Sequence, residues 1–437
     1  MIMSKSFKII LLMTLLCSCS IDNYSNASSE ITDIDTIEKN SSSTFNDYEE
    51  KETNINILTS ERESYLIESI INLYNINFSD EEKIKPSIKT LKQSEIGNEF
   101  ITNPQCYDLV FLPDEYLKTS VNCHLLDPIE SNISQVIQNN LINPLKDLVI
   151  NNILYSYPTY IESGYITFYN NKYINQENIN SLENILKIAK DKGKKIQMQF
   201  ESSWSAPMFL STTNKKMNNY INYSYENNTI KYECNWDNPE NIKIYNYLSK
   251  LFSQYIDEGV LESIYSESVV NGFYEDDLLA VVGLPIHYNK LFTEEGLDNV
   301  MSYKLPEFSI SNESYQIGSF ITSKSYVVAS SSNNKKTAHH FANFLISGEV
   351  QKLRYDMTGS IPASKSLLTS PSFTDKLTDV EKAYIEQSNY AINQSTQIEN
   401  SFYEIMDDIC FALFNDNLLS NKTISELLIE SVALLIQ

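Results

Sequence analysis

Tyr107-Asp108-Leu109-Val110-Phe111-Leu112-Pro113 is a near-continuous apolar run of strand length. A strand with apolar side chains on both faces needs cover on both faces, which a parallel sheet flanked by helices provides. Upstream, Asn54–Leu58 (NINIL) alternates as a short strand. Glu61–Tyr74 carries Tyr65, Leu66, Ile70, Ile71 and Tyr74 at helical spacing. Ile84–Leu91 (IKPSIKTL) reads as a weaker strand that Pro86 confines to an edge or a strand start. A helical turn around Glu95–Ile101 follows. The order β-α-β-α-β predicts an α/β lobe with a mostly parallel sheet.

The middle of the chain repeats this logic. Asn180–Lys192 is a predicted helix with Glu183 three residues after Asn180 and Gly193 at its close. Ile196–Phe200 alternates as a strand. Asn238-Pro239 opens a helix that Gly259 ends, with Ile244, Leu248, Leu251, Phe252, Tyr255 and Ile256 on one face. Leu278–Gly283 (LLAVVG) reads as a buried strand, Thr337–Ile346 as a helix, and Thr423-x-x-Glu426 as a capping box. With 437 residues and no internal repeat, two α/β lobes fit better than one.

Composition removes several classes. A net charge of −24 gives no cationic face for a phosphate backbone, so nucleic acid is not a partner. The 10 glycines never lie closer than 11 residues (Gly272 to Gly283), which rules out GxGxxG and P-loop nucleotide sites. His124, His287, His339 and His340 form no HExxH pattern. The adjacent pair His339-His340 sits in a predicted helix, where neighbours diverge by about 100°, and is expected to be solvent-exposed. No cofactor or metal is implied.

The amino terminus reads as an export signal. Lys5 and Lys8 precede the apolar run Ile9–Leu16, too short for the roughly 20 residues that span a bilayer. Leu16-Cys17-Ser18-Cys19 resembles a bacterial lipobox, which implies removal of residues 1–18 and lipidation of Cys19. A plain secretory signal is the alternative. Residues 20–53 carry nine acids against two lysines among Ser and Asn, and read with Cys19 as a lipidated, disordered tether over 19–53. Four further cysteines remain, and Cys106 with Cys123 is one of the three ways of pairing that they allow.

Together these segments resemble the bacterial extracellular solute-binding proteins of the maltose-binding type (family 1), over roughly residues 54–437. Tyr107–Phe111 is similar to the family's "PDvv" strand. Ile153–Tyr173 is similar to its "lYgvPv…lyYNkd" signature, and Trp236–Glu240 with Asp257-Glu258-Gly259 to "n-P-e-a…deG". Gly359–Lys365 is similar to its "G-x-x-P-a-r" loop, and Phe402–Ile436 to its closing helices. The resemblance implies an α/β, two-lobed periplasmic-binding-protein-like fold (type II) with the ligand cleft between the lobes. Lobe 1 would be 54–160 plus 305–348, and lobe 2 161–304 plus 349–437. Crossing strands are expected at Tyr157–Ser163 and Ser302–Pro306. It further implies a monomer held at the outer face of the bacterial cell membrane by its lipid, passing a small solute, a sugar foremost, to ABC transporter permease subunits.

Sugar sites pair aromatic platforms with carboxylate and amide acceptors. The resemblance assigns such contacts to Glu115 after the Tyr107–Pro113 strand, to Tyr160 and Glu162 in the first crossing, and to Trp204. It also assigns them to His287 or Tyr288 in Gly283–Tyr288, and to the small-residue turn Gly318-Ser319. For Trp204 and Tyr160 core packing is the alternative; for the acids, a solvated loop or hinge. One departure stands out: Glu275-Asp276-Asp277 occupies the place where relatives have Gly-Lys. Other readings are a surface sensor or adhesin on the same fold, and a glycosidase using paired carboxylates, which the absence of any catalytic motif disfavours.

Overall fold

The computed structural model describes residues 53–393 except 80–82, 114–115, 132, 141–147, 151, 163, 201–207, 210–211, 213–220, 227–228, 264–267 and 286–296, together with a few positions from 423 to 433. Two mixed sheets of different size organise the chain.

The first sheet is built on the strand that the sequence singles out. β1 (Thr53–Ser60) pairs in parallel with β2 (Ile84–Leu91) on its edge side and with β3 (Leu109–Leu112) on the other. Pro86 is tolerated because β2 has no further neighbour. α1 (Glu61–Asn77) starts at once after β1: Ser60 Oγ accepts from the Glu63 amide, and Leu66, Ile70, Ile71 and Tyr74 point inward. Tyr65, expected in that stripe, is instead 73% exposed, because it lies a full 100° step from Leu66. α2 (Gln93–Thr102) links β2 to β3, all four residues of which are buried.

The sheet is not mostly parallel. β12 (Ser319–Val328) runs antiparallel to β3 and to β4 (Ser156–Glu162), and β13 (Ile361–Pro362) runs antiparallel to β4. The order is β13-β4-β12-β3-β1-β2, with β14 (Ala391–Asn393) alongside the start of β12. β12 arrives from the other sheet without a crossover helix, so nothing obliges it to run with β3.

The second sheet has the order β7-β6-β8-β5-β9, made of Leu261–Glu262, Lys195–Met198, Leu278–Gly283, Ile166–Asn170 and Val300–Tyr303. β6 is parallel to β7 and β8, while β5 is antiparallel to β8 and β9. α4 (Leu182–Lys192) ends on Gly193 in the left-handed region as the sequence predicts, but Ser181, not Asn180, caps its start. Glu183 accepts from Ser181 Oγ at 3.0 Å and, with its other oxygen, from Tyr247 Oη and the Ser309 amide. α5 (Pro239–Asp257) is capped by Asn238 with Pro239 in its first turn.

Each sheet has its own core, and a third apolar cluster containing Ile161, Phe168, Val281, Ile321 and Tyr384 joins them on one side. The return crossing falls later than Ser302–Pro306. β9 ends at Tyr303, a hairpin of β10 (Glu307–Ile310) and β11 (Glu313–Gln316) follows, and only at Ser319 does the chain enter the first sheet. The hairpin packs Phe308 and Tyr315 into the second sheet's core.

Three smaller expectations are settled locally. The candidate disulfide between Cys106 and Cys123 is not formed. Ser331 Oγ donates to Pro104 O at 3.0 Å and Ser330 Oγ to His124 O at 2.7 Å, so one turn ties the two cysteine-bearing loops separately. His339 and His340, on α7 (Lys335–Leu345), do diverge, but neither is merely solvated: His339 meets Asp127 and Tyr157, and His340 meets Tyr74. The capping box holds, with the Glu426 amide donating to Thr423 Oγ1 and the Thr423 amide to Glu426 Oε2.

Candidate ligand-binding cleft

Strand register decides where a solute can lie. Leu112, the last residue of β3, is opposite Ser325, so residues 319–324 of β12 project past the carboxyl end of β3. β4 follows them, pairing Glu162 with Thr322. In the second sheet Met198 at the end of β6 is opposite Val282 near the end of β8, and Gly283 is opposite Ile166, the first residue of β5. The loops leaving β6 and β8 and the crossing from Glu162 to Ile166 therefore meet at one end of that sheet. Open α/β sheets bind ligands outside the carboxyl ends of their strands, and here the carboxyl ends of β3, β4, β6 and β8 all border the junction.

Of the expected contacts among the described residues, Glu162 alone keeps an accessible side chain at the junction. It ends β4, its carboxylate is 33% exposed, and Lys324 Nζ lies 2.9 Å from its Oε1. Thr322 Oγ1 donates to its carbonyl at 3.2 Å. Two residues on, Gly164 turns the chain into the second sheet at φ +90°, where an added Cβ would sit 2.8 Å from the Phe320 carbonyl. Glycine is required there.

Tyr160 is a core residue rather than a contact: it is 2% exposed, stacks on Phe111 at 6.3 Å, and carries the Arg354 guanidinium 5.4 Å from its ring. It lies beside the Glu63–Arg354 pair, and burial, with the charges of Glu63 and Glu162, pushes its hydroxyl well above the usual range. Gly318 and Ser319 stand at the crossing but are buried, Gly318 donating its amide to Met208 O and Ser319 packing beside Gly164. Their place is in the junction's packing, not on its open side. Glu115, Trp204, His287 and Tyr288 lie outside the described residues.

Sequence reasoning missed three groups around Glu162. Lys324 sits 162 residues away and no local pattern marks it. Tyr384, on α9 (Asp379–Ser388), is buried, its hydroxyl has no hydrogen-bond partner among the described residues, and burial together with the Glu162 charge holds that hydroxyl well above the usual range. Arg62, exposed at the start of α1, is close enough to Tyr160 to oppose that residue's shift. Among the described residues no group of three or more His, Cys, Asp or Glu is placed to hold a metal, and no helix is long and apolar enough to cross a membrane.

Comparison with known proteins agrees with this architecture. The profile of the family described as bacterial extracellular solute-binding protein matches residues 87–379. The galactooligosaccharide-binding protein of Bacillus subtilis (strain 168) is 23% identical over 318 residues, covering 70% of this chain and 71% of its own. A cyclo/maltodextrin-binding protein solved with maltotetraose superposes with a TM-score of 0.69 at 19% identity, over 89% of this chain and 98% of that one. An extracellular solute-binding protein from Staphylococcus aureus, solved with maltose, gives 0.70 at 15% identity, over 88% and 97%. The chain belongs to the bacterial extracellular solute-binding protein family, with the two-lobed fold of its maltose-binding members.

Proposed function

We propose that this protein captures a carbohydrate, an oligosaccharide of a few units, in the junction between its two sheets and delivers it to the permease subunits of an ABC importer. The observation that carries the reading is the strand register: it brings the Glu162 crossing and the roots of the loops bearing Trp204 and His287-Tyr288 to one end of the second sheet. The ligands of the relatives, galactooligosaccharide, maltotetraose and maltose, favour a sugar. Glu162 supplies a carboxylate acceptor, Trp204 and His287 or Tyr288 supply flat apolar faces, and Glu115 a second acid. The protein carries out no covalent chemistry. A ligand touching both lobes favours the closed arrangement, and a permease that recognises only that arrangement reads occupancy.

The lobe limits are part of this proposal, and the packing supports moving one of them. Lobe 1 takes 54–160 and the return segment through 348, but the hairpin 307–316 is packed on the second core, so the boundary in that segment belongs near Ile317 rather than Leu305. Residues 1–18 are the signal, Cys19 carries the lipid, and the segment after it tethers the protein as a monomer to the outer face of the membrane, ending at residue 52 rather than 53 because Thr53 opens β1.

The test is calorimetric titration of residues 20–437 with gluco- and galacto-oligosaccharides. Binding near ~1 µM, about −8 kcal/mol, that weakens at least tenfold in Trp204→Ala and in Glu162→Ala is expected. A chain that ignores every sugar but binds a peptide or amino acid overturns the substrate class. Incorporation of a clickable palmitate analogue that disappears in Cys19→Ala tests the anchor.

A further inference from the structure

The geometry points to Lys324 as the residue that sets the charge of the ligand: paired with Glu162 at the junction, it restricts the solute to uncharged sugars. The inference rests on the carbohydrate reading above and adds the class of sugar to it.

Lys324 Nζ is 2.9 Å from Glu162 Oε1, yet the two side chains are unequally exposed, 6% for Lys324 and 33% for Glu162. The lysine is the buried partner, so the face turned to a solute is the carboxylate with its charge already balanced. An ionised carboxylate has about four lone-pair sites, and one contact leaves acceptors for sugar hydroxyls. Among the described residues the other charges near it offer no second counter-ion from below: Arg354 is held by Glu63, both side chains buried. Arg62 is exposed at the start of α1. Tyr384, whose buried hydroxyl feels the Glu162 charge, is neutral and adds no counter-ion.

A neutral polyhydroxylated ligand meets this arrangement without disturbing the pair. A protonated amino sugar would compete with Lys324 for Glu162 and strand an ammonium that has little access to water. A uronate would set a second carboxylate against Glu162, with the lysine already engaged. Lys324 thus acts through rejection of both charged classes as much as through attraction. Nothing in the sequence near Glu162 announces this, because the two residues meet only through the pairing of β4 with β12.

The experiment compares Kd values of residues 20–437 for neutral gluco- and galacto-oligosaccharides and for their uronate and 2-amino counterparts. The wild type is expected to prefer the neutral sugar by at least about 30-fold over either. Lys324→Met unmasks Glu162 and shifts the preference toward the 2-amino sugar by about tenfold or more. Glu162→Gln unmasks Lys324 and shifts it toward the uronate by a similar factor. The double variant, uncharged at both positions, guards against loss of fold and returns the neutral preference. Equal affinity for neutral and charged sugars in the wild type, or ratios unmoved by both single variants, overturns the role of Lys324 and leaves the carbohydrate reading standing. Binding of no sugar of any charge removes the carbohydrate reading and this inference with it.

Discussion

Arg354 donates from Nη1 to the Glu63 carboxylate with both side chains buried, joining α8 (Gly348–Thr358) to the first turn of α1. The guanidinium also lies 5.4 Å from the centre of the Tyr160 ring, directly beneath the strand that ends in Glu162. Removing one member of such a pair strands a buried charge. Arg354→Met and Glu63→Leu are each expected to lower stability by about 3–5 kcal/mol, whereas the two together recover most of the loss. Urea midpoints of the four proteins form a double-mutant cycle. Additive losses would show that the pair is not coupled.

Asp127 is the acid-sensitive point of the first sheet. Its Oδ2 accepts from His339 Nε2 at 3.0 Å and its Oδ1 from Lys335 Nζ at 2.5 Å. With Nε2 donating, a neutral His339 ring accepts at Nδ1 from Tyr157 Oη, 2.9 Å away, which fixes the tautomer. Burial alone would raise the Asp127 carboxyl, but the hydrogen bonds from His339 and Lys335 outweigh it and hold the group below its ordinary 3.8. On acidification the unfolded chain therefore takes up this proton first. The stability that Asp127 contributes is present above about pH 3.8 and is lost as pH falls through the lower folded value. Asp127→Asn should cost about 1–3 kcal/mol at pH 7 and flatten the acid limb of a melting-temperature profile. An unchanged acid limb would place the sensitivity elsewhere.

Local chemistry was legible in the sequence where one stretch of chain contained the whole reason for it. The apolar run at Leu109–Leu112, the Asn238-Pro239 start and the Gly193 stop all appear where the residues put them. Tyr65 failed because a stripe of helical spacing is wider than the face that finds a partner. The β12 direction, the hairpin inserted before it and the burial of Tyr160 depend on contacts between residues more than 100 apart, for which periodicity holds no signal. The same holds for the site: Glu162 stands out through its motif, while Lys324, Tyr384 and Arg354 enter only through tertiary pairing.

Asp276 explains a departure that reads as chemistry in the sequence. It sits at φ +59°, between α6 (Ser268–Tyr274) and β8, in the left-handed region that favours glycine and that Asp and Asn tolerate. Its side chain accepts from Tyr173 Oη and from Lys194 Nζ, and the Tyr173 bond, with the lysine's help, outweighs burial and holds its carboxyl below the usual range. The acid cluster is therefore a turn with a brace. Asp276→Asn, which tolerates this backbone, should stay within about 1 kcal/mol of wild type, and Asp276→Ala should lose about 1–2 kcal/mol from the backbone alone. Sugar affinity should not move in either variant. A change in ligand Kd without a change in stability would return the cluster to the binding site.

Gly164 is where the fold leaves no alternative residue. Its φ of +90° disfavours any L side chain, and an added Cβ would approach the Phe320 carbonyl to 2.8 Å. That carbonyl belongs to β12, whose backbone is fixed by pairing with β4 and β14, so it cannot retreat as a flexible side chain would. Gly193 provides the control: φ is +62°, and nothing lies within 4 Å of a Cβ there. Gly193→Ala carries the backbone cost alone, about 1 kcal/mol. Gly164→Ala adds the close approach and should lose about 1–3 kcal/mol in total, the larger of the two, by urea denaturation. It should also weaken sugar binding, because relief of the contact requires the crossing next to Glu162 to shift. Equal losses in the two variants, with unchanged ligand affinity, would mean that β12 yields and that this crossing does not govern the geometry of the cleft.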